Sequence, residues 1–106
     1  MLHEEIDWNS GRVVFWDMSF LDPRRPLGDQ AADLKEDLAQ IQYPEGILLD
    51  IGWYPSFSSE GHFIVTVVRD SDWDEPLFAE KQGTLHELMQ SLQRAIIVAA
   101  EAAKAE

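Results

Sequence analysis

The stretch Ile47-Leu48-Leu49-Asp50-Ile51-Gly52-Trp53-Tyr54-Pro55, with His62-Phe63-Ile64-Val65-Thr66-Val67-Val68-Arg69 shortly after it, decides the fold. From Ile47 to Trp53 the run is apolar except at Asp50 and Gly52, the pattern of a strand in the interior of a sheet. The second run is β-branched and aromatic, with Phe63, Val65 and Val67 on one side and Ile64, Thr66 and Val68 on the other. Apolar groups on both sides require cover on both faces or at least an interior place in the sheet. Between the two, Ser56-Phe57-Ser58-Ser59-Glu60-Gly61 is turn chemistry, so the strands pair as an antiparallel hairpin.

Toward the C-terminus, Asp70-Ser71-Asp72-Trp73-Asp74-Glu75 forms an acidic turn. Pro76 cannot donate to a ladder, which permits it only on an edge strand or at the start of a strand over residues 77–81. Gly83 then precedes Thr84-Leu85-His86-Glu87, a capping-box pattern that opens a helix over 84–103. Leu85, Leu88, Met89, Leu92, Ile96 and Ala99 make its apolar stripe.

Toward the N-terminus, Ala31, Leu34, Leu38 and Ile41 recur at helical spacing. With Asp29 as cap and Pro44 and Gly46 as stops, they predict a helix over 29–42. Residues 22–28 hold two prolines and form a loop. The first 20 residues read as a hairpin, Ile6-Asp7-Trp8 against Val13-Val14-Phe15-Trp16, turning at Asn9-Ser10-Gly11. The expectation is an α+β fold in one domain, 1–106: an antiparallel sheet of four to five strands with two helices, in the order (β)β-α-β-β-β-α. Its core should hold Leu34, Leu38, Leu49, Ile51, Val65, Val67, Leu88 and Leu92.

Of the 106 residues 45% are hydrophobic, so the chain can bury a core. Eight Lys and Arg stand against 20 Asp and Glu, a net charge of −12. That sign opposes nucleic acid and anionic membrane as partners and suits a basic protein. There is no cysteine, hence no disulfide, thiolate metal site or cysteine nucleophile. The acidic start Met1-Leu2-His3-Glu4-Glu5 is not a secretory signal, and no apolar run approaches the length of a membrane span. A cytoplasmic protein is expected.

Catalytic patterns are missing. His3, His62 and His86 have no metal-ligand spacing, the serines sit in no nucleophile motif, and the six glycines form no phosphate loop. The acids at 70, 72 and 74 begin like a calcium loop, but Glu75 and Lys81 stand where such a loop needs glycine and glutamate. Neither an enzyme nor a cofactor is therefore expected. A partner surface is: Asp70, Asp72, Asp74 and Glu75 surround Trp73, an aromatic anchor among carboxylates that could meet Lys and Arg. A solvated turn with Trp73 folded into the core accounts for the same residues. Asp50, Trp53 and Tyr54 are further candidates, the aromatic pair fitting an interface or the core.

The residues Leu48-Leu49-Asp50-Ile51-Gly52-Trp53-Tyr54-Pro55, Gly61-His62-Phe63-Ile64-Val65 and Asp72-Trp73-Asp74-Glu75-Pro76-Leu77, with the terminal amphipathic helix, resemble small bacterial immunity proteins. These accompany polymorphic toxins, including those of contact-dependent growth inhibition, and the resemblance covers about residues 47 to 97. It implies an intracellular protein that binds and neutralises one cognate toxin domain, often a nuclease. It assigns no site residues. A nucleic-acid mimic and an adaptor subunit are the alternatives that the charge alone leaves open.

Overall fold

A computed structural model describes residues 1–104. Five strands, β1 (Arg12–Trp16), β2 (Ala39–Tyr43), β3 (Ile47–Tyr54), β4 (His62–Arg69) and β5 (Phe78–Gln82), form one antiparallel sheet in chain order. One α-helix, α1 (Leu85–Ala103), packs across it, and short 3-10 turns lie at His3–Glu5 and Leu27–Asp33. The architecture is α+β as expected.

The central hairpin follows its sequence closely. Ile47 pairs with Arg69 and Tyr54 with His62 in unbroken register, placing β3 at the centre of the five strands. Odd-numbered side chains of β3 and β4, from Ile47 to Trp53 and Phe63 to Val67, face α1 and are buried. Leu88, Leu92, Ala95 and Ala99 meet them from the helix. All eight residues expected in the core are buried. Thr84 caps α1 by accepting from the Glu87 amide at 3.1 Å. The Glu87 carboxylate reaches back to the Gly83 amide at 3.0 Å, one residue earlier than in the usual box.

The segment 29–42 is not a helix. Leu27–Asp33 is a 3-10 turn, Leu34 is extended, and Ala39–Tyr43 is a strand between β1 and β3. The reason lies in where its backbone groups find partners. The Leu38 amide donates to the Ile51 carbonyl, and the Trp53 amide to the Lys35 carbonyl, so β3 takes the bonds that a helix would need internally. Ala31, Leu34, Leu38 and Ile41 are buried all the same. Their spacing served a core contact without a helix. The alternation Ala39-Gln40-Ile41-Gln42-Tyr43, buried at every second residue, is the strand signal.

At the N-terminus, Val13 to Trp16 is a strand as expected, but its partner is β2, not residues 6–8. The N-terminal segment is pinned by tryptophans instead. The Trp8 indole donates to the His3 carbonyl, the Trp16 indole to the Met1 carbonyl, and the two rings meet edge to face at 5.9 Å. Of the chain's helices, none is long and apolar enough to cross a membrane among the described residues.

Candidate functional site

The sheet has one face covered by α1 and one more open face. At one end the β2–β3 turn, Pro44-Glu45-Gly46, lies beside the 70–75 turn. The Asp70 amide donates to the Gly46 carbonyl at 2.9 Å, and the Asp70 carboxylate lies against Gly46 where a β-carbon would stand. Glu45, Gly46, Asp70 and Ser71 all have positive φ, so both connections are tight and hold their side chains outward. Asp70, Asp72, Asp74 and Glu75 are exposed, and none takes part in an ion pair among the described residues. Trp73 is 49% exposed. It is not folded into the core; it stands among the acids as an accessible anchor.

Arg69, the nearest cation in sequence to this acidic pole, is engaged with α1 instead: it donates to the Ala102 carbonyl at 3.1 Å and so satisfies the C-terminus of the helix. No three acidic or histidine side chains converge as metal ligands among the described residues.

The other candidates lie apart from the pole. Trp53 is 1% exposed and faces α1, with its indole donating to the Ser58 carbonyl at 2.9 Å. It belongs to the core and presents no surface to a partner. Tyr54, one residue on, turns to the open face at the end of the sheet opposite the acidic turn. Its hydroxyl reaches the Glu36 carbonyl at 3.5 Å. Burial, with Asp50, Glu36 and Asp37 nearby, pushes its phenol above the usual value.

Asp50 sits on that open face, in the middle of the central strand and opposite Thr66. It is 7% exposed and accepts from the Gln40 side chain at 3.1 Å. Burial holds its pKa above the ordinary carboxylate value, opposed by the Gln40 hydrogen bond and aided by Asp37. No cation of the described residues pairs with it.

Since the folded state disfavours the Asp50 carboxylate, its penalty is full above the folded pKa and disappears below the unfolded value near 3.8. Asp50→Asn should therefore raise Tm at pH 7 and leave it unchanged near pH 3. A gain of about 1 kcal/mol corresponds to roughly 4–8 °C in a domain of this size. Thermal melts of the two proteins at both pH values check this; an equal change at pH 3 would place the effect in packing instead.

Residues that the sequence did not single out complete the open face. Phe15 and Gln40 are register partners there, and Phe15 is 40% exposed. With Asp37 they line a depression of about 260 Å³. Gly52 lets the chain at Glu36 cross close above the sheet, since a β-carbon at 52 would meet the Glu36 carbonyl oxygen. The signal for this site was the polar pair Gln40 and Gln42 alternating with buried residues, hidden by the helical reading of 29–42. No protein-family model, curated protein or solved structure matches this chain.

Proposed function

We propose that this protein is an immunity protein that binds and neutralises a basic toxin domain in the bacterial cytoplasm, by stoichiometric contact and without chemistry of its own. The observation that carries the reading is the acidic pole, where exposed carboxylates without intramolecular cations surround the accessible indole of Trp73. A nuclease toxin fits best, because a protein that holds phosphates must present cationic groups. A net charge of −12 then steers the encounter, with on-rates that can reach about 10⁸–10⁹ M⁻¹s⁻¹ at low salt. The sequence resemblance to immunity proteins supports the same reading. A nucleic-acid mimic would need carboxylates spaced along an extended surface, whereas these are gathered in one turn.

Co-expression with the toxin domain encoded beside its gene is the test. Cells carrying both should grow as cells without toxin, and the two proteins should co-purify in a fixed ratio. Killing that continues despite soluble, folded protein overturns the proposal.

A further inference from the structure

The open face of the sheet holds a feature that the acidic pole does not explain. Asp50 is nine-tenths buried in the central strand and pairs with no cation among the described residues. A carboxylate held this way costs stability unless a positive group meets it. Beside it, Phe15, Asp37 and Gln40 line the depression of about 260 Å³. Gln40 links the two, since it lines the depression and donates to Asp50.

We infer that this depression receives a single arginine or lysine side chain of the partner, whose aliphatic stem lies on Phe15 and whose cation lies against Asp37, with Asp50 behind Gln40. The inference rests on the reading of the protein as an inhibitor of a basic domain, and it adds the anchor point.

Three observations select this occupant. The depression falls just short of the roughly 300–1,000 Å³ of small-molecule pockets, so one long side chain suits it better than a free ligand. Its lining is an exposed aromatic ring beside a carboxylate, which matches a side chain with an apolar stem and a charged tip. The charges around it are negative on the side of the Glu36 crossing, where Glu36, Asp37 and Asp50 all act on Tyr54. The adjacent cation, Lys35, is engaged with Asp17 at 2.5 Å. On the same face Arg12 donates to Gln42, and Lys81 lies on β5 in register with Ile64, so neither lines the depression. A metal ion is a poorer fit, because no three ligands converge among the described residues.

Two arms test the inference. In the first, N-acetyl-arginine amide is titrated into the labelled full-length chain at low salt and followed by amide shifts, with N-acetyl-norleucine amide as control. The expected result is a saturating response centred on Phe15, Asp37, Gln40 and Asp50, weakened at least threefold by Asp37→Asn. A response confined to Asp70–Glu75, or none that saturates, overturns the inference. In the second arm, Asp37→Arg and Phe15→Ser are co-expressed with the toxin domain, their folding checked by thermal melts. Wild-type rescue with loss of rescue in both folded variants supports the anchor. Wild-type rescue with full rescue by both variants removes the anchor and leaves the inhibitor reading in place, whereas failure of the wild type removes that reading itself.

Discussion

Replacing Trp53 with alanine is expected to lower stability by about 3–5 kcal/mol, the largest effect of any single substitution considered. The ring is sealed between the sheet and α1 and meets Phe63 edge to face at 5.0 Å. It also closes the 56–61 turn, because its indole donates to the Ser58 carbonyl and Gly61 lies flat against it, where a β-carbon would strike the ring. Truncation therefore opens a cavity and removes one of the two hydrogen bonds that the Ser58 carbonyl accepts, leaving that from the Gly61 amide. Trp53→Phe fills most of the volume but cannot donate, so it should lose less, chiefly the about 0.5–1.5 kcal/mol of one hydrogen bond. Urea denaturation of both variants separates the two contributions. A loss under about 1 kcal/mol for Trp53→Ala would mean that the neighbouring elements collapse freely into the space.

The second large effect concerns association. Neutralising Asp70, Asp72, Asp74 and Glu75 together, as Asn and Gln, removes four of the chain's 20 acidic side chains from one turn. Electrostatic focusing raises on-rates by about 10–10³. The variant should therefore associate with the toxin domain about tenfold or more slowly at low salt, with a flatter salt dependence. Exposed charges act mainly on the encounter, so dissociation should change little. The carboxylates make no ion pairs among the described residues, and the variant should melt at or slightly above the wild-type temperature. Kinetics across a salt series decide the matter. On-rate, affinity and salt slope all at wild-type values would mean that the turn is a solvated loop and the interface lies elsewhere.

Local chemistry made most of the fold legible. The β-branched run His62–Arg69, the capping residues Thr84 and Glu87 and the proline before β5 each act within a few residues of chain, and each element stands where they place it. The segment 29–42 was misread because its deciding interactions are remote in sequence. Lys35 and Leu38 bond to β3, more than ten residues on, and a spacing of three and four residues cannot reveal that. The same holds for the site. The acidic turn is visible as composition, and so is the aromatic residue inside it. That Trp53 faces inward and Tyr54 outward follows from strand parity once the covered face is known. The depression at Phe15, Asp37 and Gln40 joins two segments, one of which was assigned to the wrong element, so no pattern along the chain could display it.

The strand order carries a consequence for synthesis. Each strand lies beside its neighbours in sequence, so most pairings close short loops, and only the β1–β2 connection is long. Chain-local topology of this kind assembles quickly. A nascent chain can add strands in the order in which they leave the ribosome. The lid over Ile47, Leu49, Ile51, Val65 and Val67, however, is α1, whose residues are made after all five strands. Until Leu88, Leu92 and Ala99 emerge, the sheet holds a greasy face toward water, and a chain stalled before residue 85 is expected to be bound by chaperones or degraded.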